Sequence, residues 1–555
     1  MKKILYIAML LCLPVVAMAQ VSKQVEVTKD YKPNVDAAQK LSIIPDMTDT
    51  VTMRPDIDYS ITPRSYETAL MTQNFKPATI TYWDYKRMRP LYVHAAVGMP
   101  LQSEADAYLS TFNKDKGYAM VYANHWGDYR NRYNVEGLKV KENTTEMSNR
   151  LGARAGLFVG PRMLEVDLSG DMQMRHRYPL TGDIVNFGRF GGKVRFGDDF
   201  TDLRRWNFNV EVGGGMFMDG QGEDDFNESN LSAKLAVGKM LGRSVLRIHA
   251  GYDGVYGAKS LEQYKNHTIM VGARYGLSGQ RFDFLVGADY YYDDVSESTD
   301  NPHHIFPYLR MTWKSATERF VPFVEVDGGL KHNDYASLLY TNPYISPDAA
   351  LLSQLANEAL YNGRVGISGR LGRGVFSYNL SAELSLSNDH VYWYSDGADG
   401  YHFTEAYQHT LRLDGGIMLR PAGWLEAELK GGVYVWENYD DHYANRPNFD
   451  AELGVRYLGR KFTAGVTAAY RGGIKWMTLQ PVFDDTLYAE NEQTREFGYV
   501  KTDATFTLGV EAEYRINDRW RVYAEGRNLT GSKVYEWLNY YRDTAEGIVG
   551  VKISF

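Results

Sequence analysis

The chain has 555 residues, 44% apolar and 23% charged, with 52 glycines, 42 tyrosines and a mean hydropathy of -0.41. Past the first twenty residues no apolar run approaches the ~20 residues a membrane helix needs, which leaves a multidomain soluble protein or a β-barrel whose apolar band hides in alternation. Lys+Arg 61 against Asp+Glu 69 gives a net charge of -8, which argues against nucleic acid, whose binding rests on phosphate neutralisation by Lys and Arg.

Residues 1–19 carry Lys2 and Lys3, an apolar stretch from Ile4 to Val16, and small residues at Ala17 and Ala19. This is the pattern of a secretory signal peptide. Leu11, where a small residue would be needed, speaks against lipidation of Cys12. Cys12 is the sole cysteine, so a chain starting at Gln20 has no disulfide, no thiol chemistry and no Cys-ligated zinc. Residues 20–89 read as an extended, turn-broken segment, periplasmic or lumenal. Seven of the eighteen prolines fall between Pro33 and Pro100, and proline interrupts helices and central strands alike.

From residue 90 to 555 the pattern is period two, with the first strand at 91–99. Leu164, Val166, Leu168, Gly170, Met172 and Met174 alternate with Glu165, Asp167, Ser169, Asp171 and Gln173, so each strand has one apolar face. The same texture runs through Phe208 to Met216, Leu425 to Val433, Phe449 to Tyr457 and Phe506 to Ile516. Alternation alone also suits a soluble sandwich. The connections discriminate. Short turns fall at 160–162, 241–244, 278–280, 315–318, 371–374, 421–423, 458–461 and 517–519, with two further turns expected near 127–130 and 198–205. Between them lie longer, more acidic links at 219–230, 293–303, 331–361, 388–407 and 477–501. Short turns alternating with long links mark a transmembrane barrel with tight periplasmic turns and long outer loops. This predicts an all-β transmembrane antiparallel barrel of about 22 strands, since 466 residues over 22 strands leaves about 21 per strand with its share of links.

Within the link at 331–361, Ser346-Pro347-Asp348 before Ala349 predicts a helix over 349–360 with Ser346 as cap. Three aromatic clusters, Tyr290-Tyr291-Tyr292, Tyr392-Trp393-Tyr394, and Tyr434, Trp436, Tyr439 and Tyr443, sit at strand ends beside long links. They read first as an interfacial aromatic girdle. Tyr392, Trp393, Tyr394, Trp436 and Tyr439 are the candidate loop contacts for a ligand such as a sugar, which would stack on aromatic rings.

The chain ends on Trp520 to Trp537, containing Asn528-Leu529-Thr530, and then Gly547 to Phe555. These residues resemble the last two strands of TonB-dependent receptors, in which an Asn-Leu turn precedes a final strand ending on an aromatic residue. Val549, Val551, Ile553 and Phe555 match the terminal signal read by the outer-membrane barrel assembly machinery. The resemblance implies twenty-two strands, outer-membrane lipid as surroundings, and TonB or another envelope protein as partner of the N-terminal segment. The texture also resembles barrels from Bacteroides-type bacteria. The departure is the plug: that family carries well over a hundred residues before its first strand, and residues 20–89 are too few, although Val25-Glu26-Val27-Thr28 is faintly similar to its energy-coupling box.

No phosphate-binding loop, nucleophile elbow or paired-histidine zinc helix is present. His303-His304 reads as interfacial and Glu223-Asp224-Asp225 as a solvated outer loop, with metal the minority reading for both. No catalytic, metal or cofactor residue is assigned, and the chain reads as a non-enzyme. The function expected is solute uptake or binding across the outer membrane of a Gram-negative bacterium, after signal cleavage. The alternative is a plugless structural or partner-binding barrel in an envelope assembly.

Overall fold

A computed structural model describes residues 89–555 apart from 114, 132–144, 177–183, 221–225, 296–301, 316, 396–399, 439–442 and 483–493. The leader, the proline-rich segment, Tyr439 and the Glu223-Asp224-Asp225 run lie outside the described residues.

Twenty-two antiparallel strands form one closed ring. The first, Leu91–Met99, pairs with the second and also with the last, Glu546–Ser554, in the register Val93↔Ile553, Ala95↔Val551 and Val97↔Val549. The seam is sealed at its end by Phe555 N–H donating to Leu91 O at 2.9 Å and Leu91 N–H donating to Phe555 O at 3.3 Å. Among the described residues four more strands stand outside the ring: the hairpin Lys475–Val482 with Thr494–Lys501, and the small pair Val534–Trp537 with Tyr540–Arg542.

The two faces of the wall resolve the ambiguity left by alternation. On Arg162–His176 the apolar Leu168 and Met172 are 48% and 63% exposed, while Glu165 and Asp167 are 9% and 7% exposed. Apolar out and charged in is the reverse of a soluble sandwich and suits lipid outside a polar lumen. Several of the inward charges are paired across strands. Arg274 Nη1 lies 2.6 Å from Asp289, which also has His249 Nε2 at 3.0 Å; Arg154 pairs with Asp167, and Lys552 with Glu513 at 2.9 Å. Leu168→Arg is therefore expected to cost about 2–4 kcal/mol of barrel stability in a bilayer, and Ser169→Arg, one residue on and facing the lumen, far less. Denaturant midpoints of the two variants in liposomes measure the difference; equal midpoints would contradict the assignment of faces, and a lower midpoint for Ser169→Arg would reverse it.

Nine of the ten expected short turns fall between consecutive strands at one end of the ring. The exception is the one expected near 127–130. Gly127 and Asp128 end the strand Gly117–Asp128, and the tight turn lies earlier, after Gln102–Asn113. There the Asn113 side chain accepts the N–H groups of Asp115 at 3.0 Å and Lys116 at 3.2 Å, and Gly117 takes a φ of 140°. Asn closing a turn on its own backbone, followed by glycine, is turn chemistry that the alternation concealed.

The link expected over 388–407 is also shorter than the sequence suggests. Phe376–Ser395 and Tyr401–Ala422 run on as a long pair, with a register shift between Ser387 and His390 where Asp389 adopts a φ of 55°. A bulge breaks the alternation without ending the strand. In a similar way, the link at 477–501 holds most of the outer hairpin.

Candidate functional site at the long-link end

The link at 332–357 is folded into the mouth of the ring. Its helices are α1, Tyr335–Thr341, and α2, Ala349–Leu352. Asp334 caps α1 by accepting the Ser337 N–H at 2.6 Å, while the Ser337 hydroxyl accepts the Asp334 N–H at 3.0 Å. The expected helix over 349–360 is cut to one turn. Its cap is Asp348, which accepts from Ala350 N–H at 2.8 Å, and Ser346 instead donates its N–H to Tyr401 O at 2.7 Å. From Glu358 the chain is already in a wall strand.

The inner surface of the wall holds this link at many points. The Glu228 carboxylate accepts the first two helical N–H groups, Tyr335 at 2.8 Å and Ala336 at 2.9 Å, satisfying donors that a helix start leaves open. The Tyr335 hydroxyl donates to Asp219 and that of Tyr340 to Asp171. Phe187 meets Tyr340 edge-on at 5.2 Å, Phe217 meets Tyr335 at 5.9 Å, and the Arg189 guanidinium lies 4.9 Å from the Tyr340 ring centre. Leu339 and Ile345 are fully buried.

A lock of amides closes the base of the link. Asn357 Oδ1 accepts from Asn266 Nδ2 at 2.7 Å and from Asn333 N–H at 2.9 Å, and Asn357 Nδ2 donates to Asn266 Oδ1 at 2.8 Å and Asp293 at 2.7 Å. Asn333 Nδ2 returns to Ala356 O at 2.9 Å, and Ala356 N–H reaches Glu405 at 2.9 Å. Burial holds the neighbouring His332 imidazole below its ordinary pKa, against the opposing pull of Asp334, Asp253 and Asp293.

A second link, 528–545, completes the cover. Tyr540 stacks on Tyr344 with ring centres 3.4 Å apart, and Trp537 lies 5.1 Å from Tyr401, 5.8 Å from Trp393 and 6.2 Å from Trp476. On the far side Arg542 stands 5.5 Å from the Trp126 ring, which Arg175 approaches at the same distance. The two links together bridge the mouth from Trp126 to the long strand pair.

The expected ligand aromatics divide in this setting. Tyr392 and Trp393 are 1% and 7% exposed, Trp393 lying within the aromatic cover, and Tyr394 packs on Phe497 at 5.2 Å. Trp436 shares the lumen side of Leu425–Asn438 with Tyr434, 5.8 Å away and nearly parallel, while Val433 and Val435 face outward. Its indole Nε1 is buried with no hydrogen-bond partner among the described residues. The girdle reading suits Tyr290 and Tyr292, which are exposed on the outer face, whereas Tyr291 packs inward on Phe306 at 5.3 Å. On the seam strand Val549 is 57% exposed, and Phe555 meets Trp520 edge-on at 6.4 Å.

The anchors Glu228, Asn266, Asn333 and Asn357 were not singled out in the sequence. The one available signal was Asp334 with Ser337 three residues on, a capping-box spacing.

The fold is a large closed antiparallel barrel whose mouth is covered by its own links. No protein-family model and no curated protein matches the chain. Among solved structures it is similar to the FrpB iron transporter from Neisseria meningitidis, at 11% identity and a TM-score of 0.65 over 85% of this chain and 82% of that one. It is similar also to the copper transporter OprC, at 12% identity and 0.61 over 85% and 81%. The siderophore receptor PirA from Acinetobacter baumannii matches at 11% and 0.62 over 84% and 80%. Those neighbours are transporters and receptors, not enzymes, and at these identities the likeness is one of fold.

Proposed function

We propose that the protein takes up a solute across the outer membrane of a Gram-negative bacterium, as the TonB-dependent receptors it resembles do. The observation that carries this reading is the covered mouth. A wide ring with a polar, ion-paired lumen and a cover built from its own links suits a gated port better than an open pore or a scaffold. The solved neighbours named for iron, copper and siderophore transport support a chelated metal as the first solute class to test. In the same reading residues 1–19 are cleaved, residues 20–89 meet TonB or another envelope protein, and Val549, Val551, Ile553 and Phe555 are read by the barrel assembly machinery. The structural alternative draws no support from these neighbours. The test is growth and metal accumulation on a panel of iron and copper chelates by cells with and without the gene. Loss of at least one chelate, restored by the gene, is expected; unchanged growth and accumulation throughout would contradict uptake.

A further inference from the structure

The lipid-facing side of the wall carries a polar constellation that solute uptake does not use. The strands Gln102–Asn113, Gly117–Asp128 and Glu146–Val159 are neighbours, in the registers Ala105↔His125 and His125↔Asn149. Leu109, Val121 and Leu151, which share the parity of Ser103, His125 and Asn149 on these strands, are 48%, 48% and 67% exposed. All three polar side chains therefore lie on the outer face. Ser103 Oγ is 2.8 Å from His125 Nε2, and His125 Nδ1 is 2.7 Å from Asn149 Oδ1. The Tyr129 hydroxyl lies 3.2 Å from Ser103 Oγ and 3.4 Å from His125 Nε2. Gly127, opposite Ser103, makes room for it: a Cβ there would come within 2.5 Å of the Tyr129 oxygen.

The order of these groups is hydroxyl, imidazole, amide oxygen. An amide oxygen can only accept, so it fixes the proton on Nδ1 and turns the bare Nε2 toward the serine O–H, the arrangement that activates a serine nucleophile. Such a relay is recognised by geometry and roles and not by position along the chain. Spread over three strands, it leaves no linear motif.

The surroundings suggest the substrate. His125 and Asn149 line a groove of about 1060 Å³ to which the outward-facing Ala105, Ala107, Ala123, Val121, Leu151 and Leu168 contribute, alongside inward-facing neighbours on the same strands such as Asp106 and Arg150. The connection above Ser103 is only Pro100-Leu101, and Val97, Met99 and Leu101 around it are 60%, 82% and 62% exposed. An apolar rim at the long-link end places this stretch of wall in the outer leaflet. Polar side chains cost free energy against lipid, so stability alone does not account for a serine, a histidine and an asparagine among alanines, valines and leucines.

We propose that Ser103, His125 and Asn149 form an acyl-ester hydrolase site that draws its substrate, a lipid ester, sideways from the outer leaflet, with one acyl chain in the groove. The inference rests on the barrel standing in a membrane and is independent of which solute crosses it. Ser103 Oγ attacks the ester carbonyl carbon while its proton passes to His125 Nε2, and the carbonyl oxygen takes the negative charge within reach of the Tyr129 hydroxyl. Collapse breaks the bond to the alcohol, which leaves with the proton from Nε2. Water then attacks the acyl-serine, giving its proton to His125; the carboxylic acid departs and Ser103 regains its hydrogen. The sum is ester plus water to acid plus alcohol. Ser103, His125 and Tyr129 touch the reacting atoms, and Asn149 is a positioning residue.

The test uses the full-length protein in mixed micelles with p-nitrophenyl palmitate and butyrate, and a fluorophosphonate probe for the serine. Expected are labelling at Ser103 and hydrolysis that favours the long chain. Ser103→Ala and His125→Gln should each lower the rate by about 100-fold or more, with folded barrel confirmed by heat-modifiable mobility on gels. Asn149→Ala should lower kcat and move the pH profile while leaving KM in place, which a merely structural role would not do. Ala107→Trp should lower the palmitate-to-butyrate ratio. Ser110→Ala, on the lumen side of the same strand, should keep the full rate. If the folded wild-type chain neither labels nor hydrolyses either ester above background, or if hydrolysis survives Ser103→Ala, the proposal is overturned and the trio is only a polar network in the wall.

Discussion

Replacing residues 334–356 with a short Gly-Ser bridge is expected to expose the inner wall to the outside. A cysteine introduced by Phe187→Cys reports this cleanly, because Cys12 in the leader is the chain's sole other cysteine. In the intact protein position 187 is 4% exposed and covered by Tyr340. A bulky, membrane-impermeant maleimide then reaches it only when the link lifts. Lifting breaks the Glu228 bonds to α1, the tyrosine bonds to Asp171 and Asp219, and the packing of the fully buried Leu339 and Ile345. Burial of a leucine of this kind alone is worth about 2–5 kcal/mol. Opening that costs even the lower figure keeps labelling more than about tenfold below that of an uncovered site. The link-deleted variant should therefore label faster by at least that factor. Equal rates would mean that the link does not cover the mouth.

The second large effect is expected from Asn357→Leu, which keeps the side chain's bulk and removes the centre of the amide lock. Five hydrogen bonds go at once: those from Asn266 and Asn333 to Oδ1, and those from Nδ2 to Asn266, Asp293 and, at 3.4 Å, Thr268. The partners are buried, and each donor or acceptor left unpaired costs about 1–3 kcal/mol. Their costs do not simply add, so a loss of about 3–5 kcal/mol for the closed link is expected. Hydrogen exchange of the α1 amides should then accelerate by about two to three orders of magnitude, while the wall strands keep their protection. Unchanged α1 exchange would show that the link is held from elsewhere. Loss of protection across the wall would show that Asn357 serves the barrel and not its cover.

Both predictions rest on residues that the sequence pattern did not single out, for a physical reason. Wall strands announce themselves locally: Leu164 to Met174 reads as a two-faced strand from eleven consecutive residues, and Gly160-Pro161 or Leu241-Gly242-Arg243-Ser244 punctuates it within four. The closed ring, its strand number and the first strand at Leu91–Met99 were legible for that reason. The bulge at Asp389 was not, because one residue with positive φ resets the alternation while the ladder carries on. Asn266, Asn333 and Asn357 meet only after three separated segments have folded, and an isolated asparagine in a polar link carries no sign of its partner. Tyr392 and Trp393 were legible as an aromatic cluster beside a link, but their burial depends on links 332–357 and 528–545 folding inward over them. The Ser103, His125 and Asn149 trio belongs to the same class, since its members come together only through strand register.

A mouth covered by links 332–357 and 528–545 should keep this barrel from standing as an open pore. Single-channel recording of the intact chain in planar bilayers tests it. The covered mouth predicts insertion without a steady wide-pore conductance, with the barrel shown present by its heat-modifiable mobility on gels. A persistent, open conductance from the intact, folded chain would contradict the account.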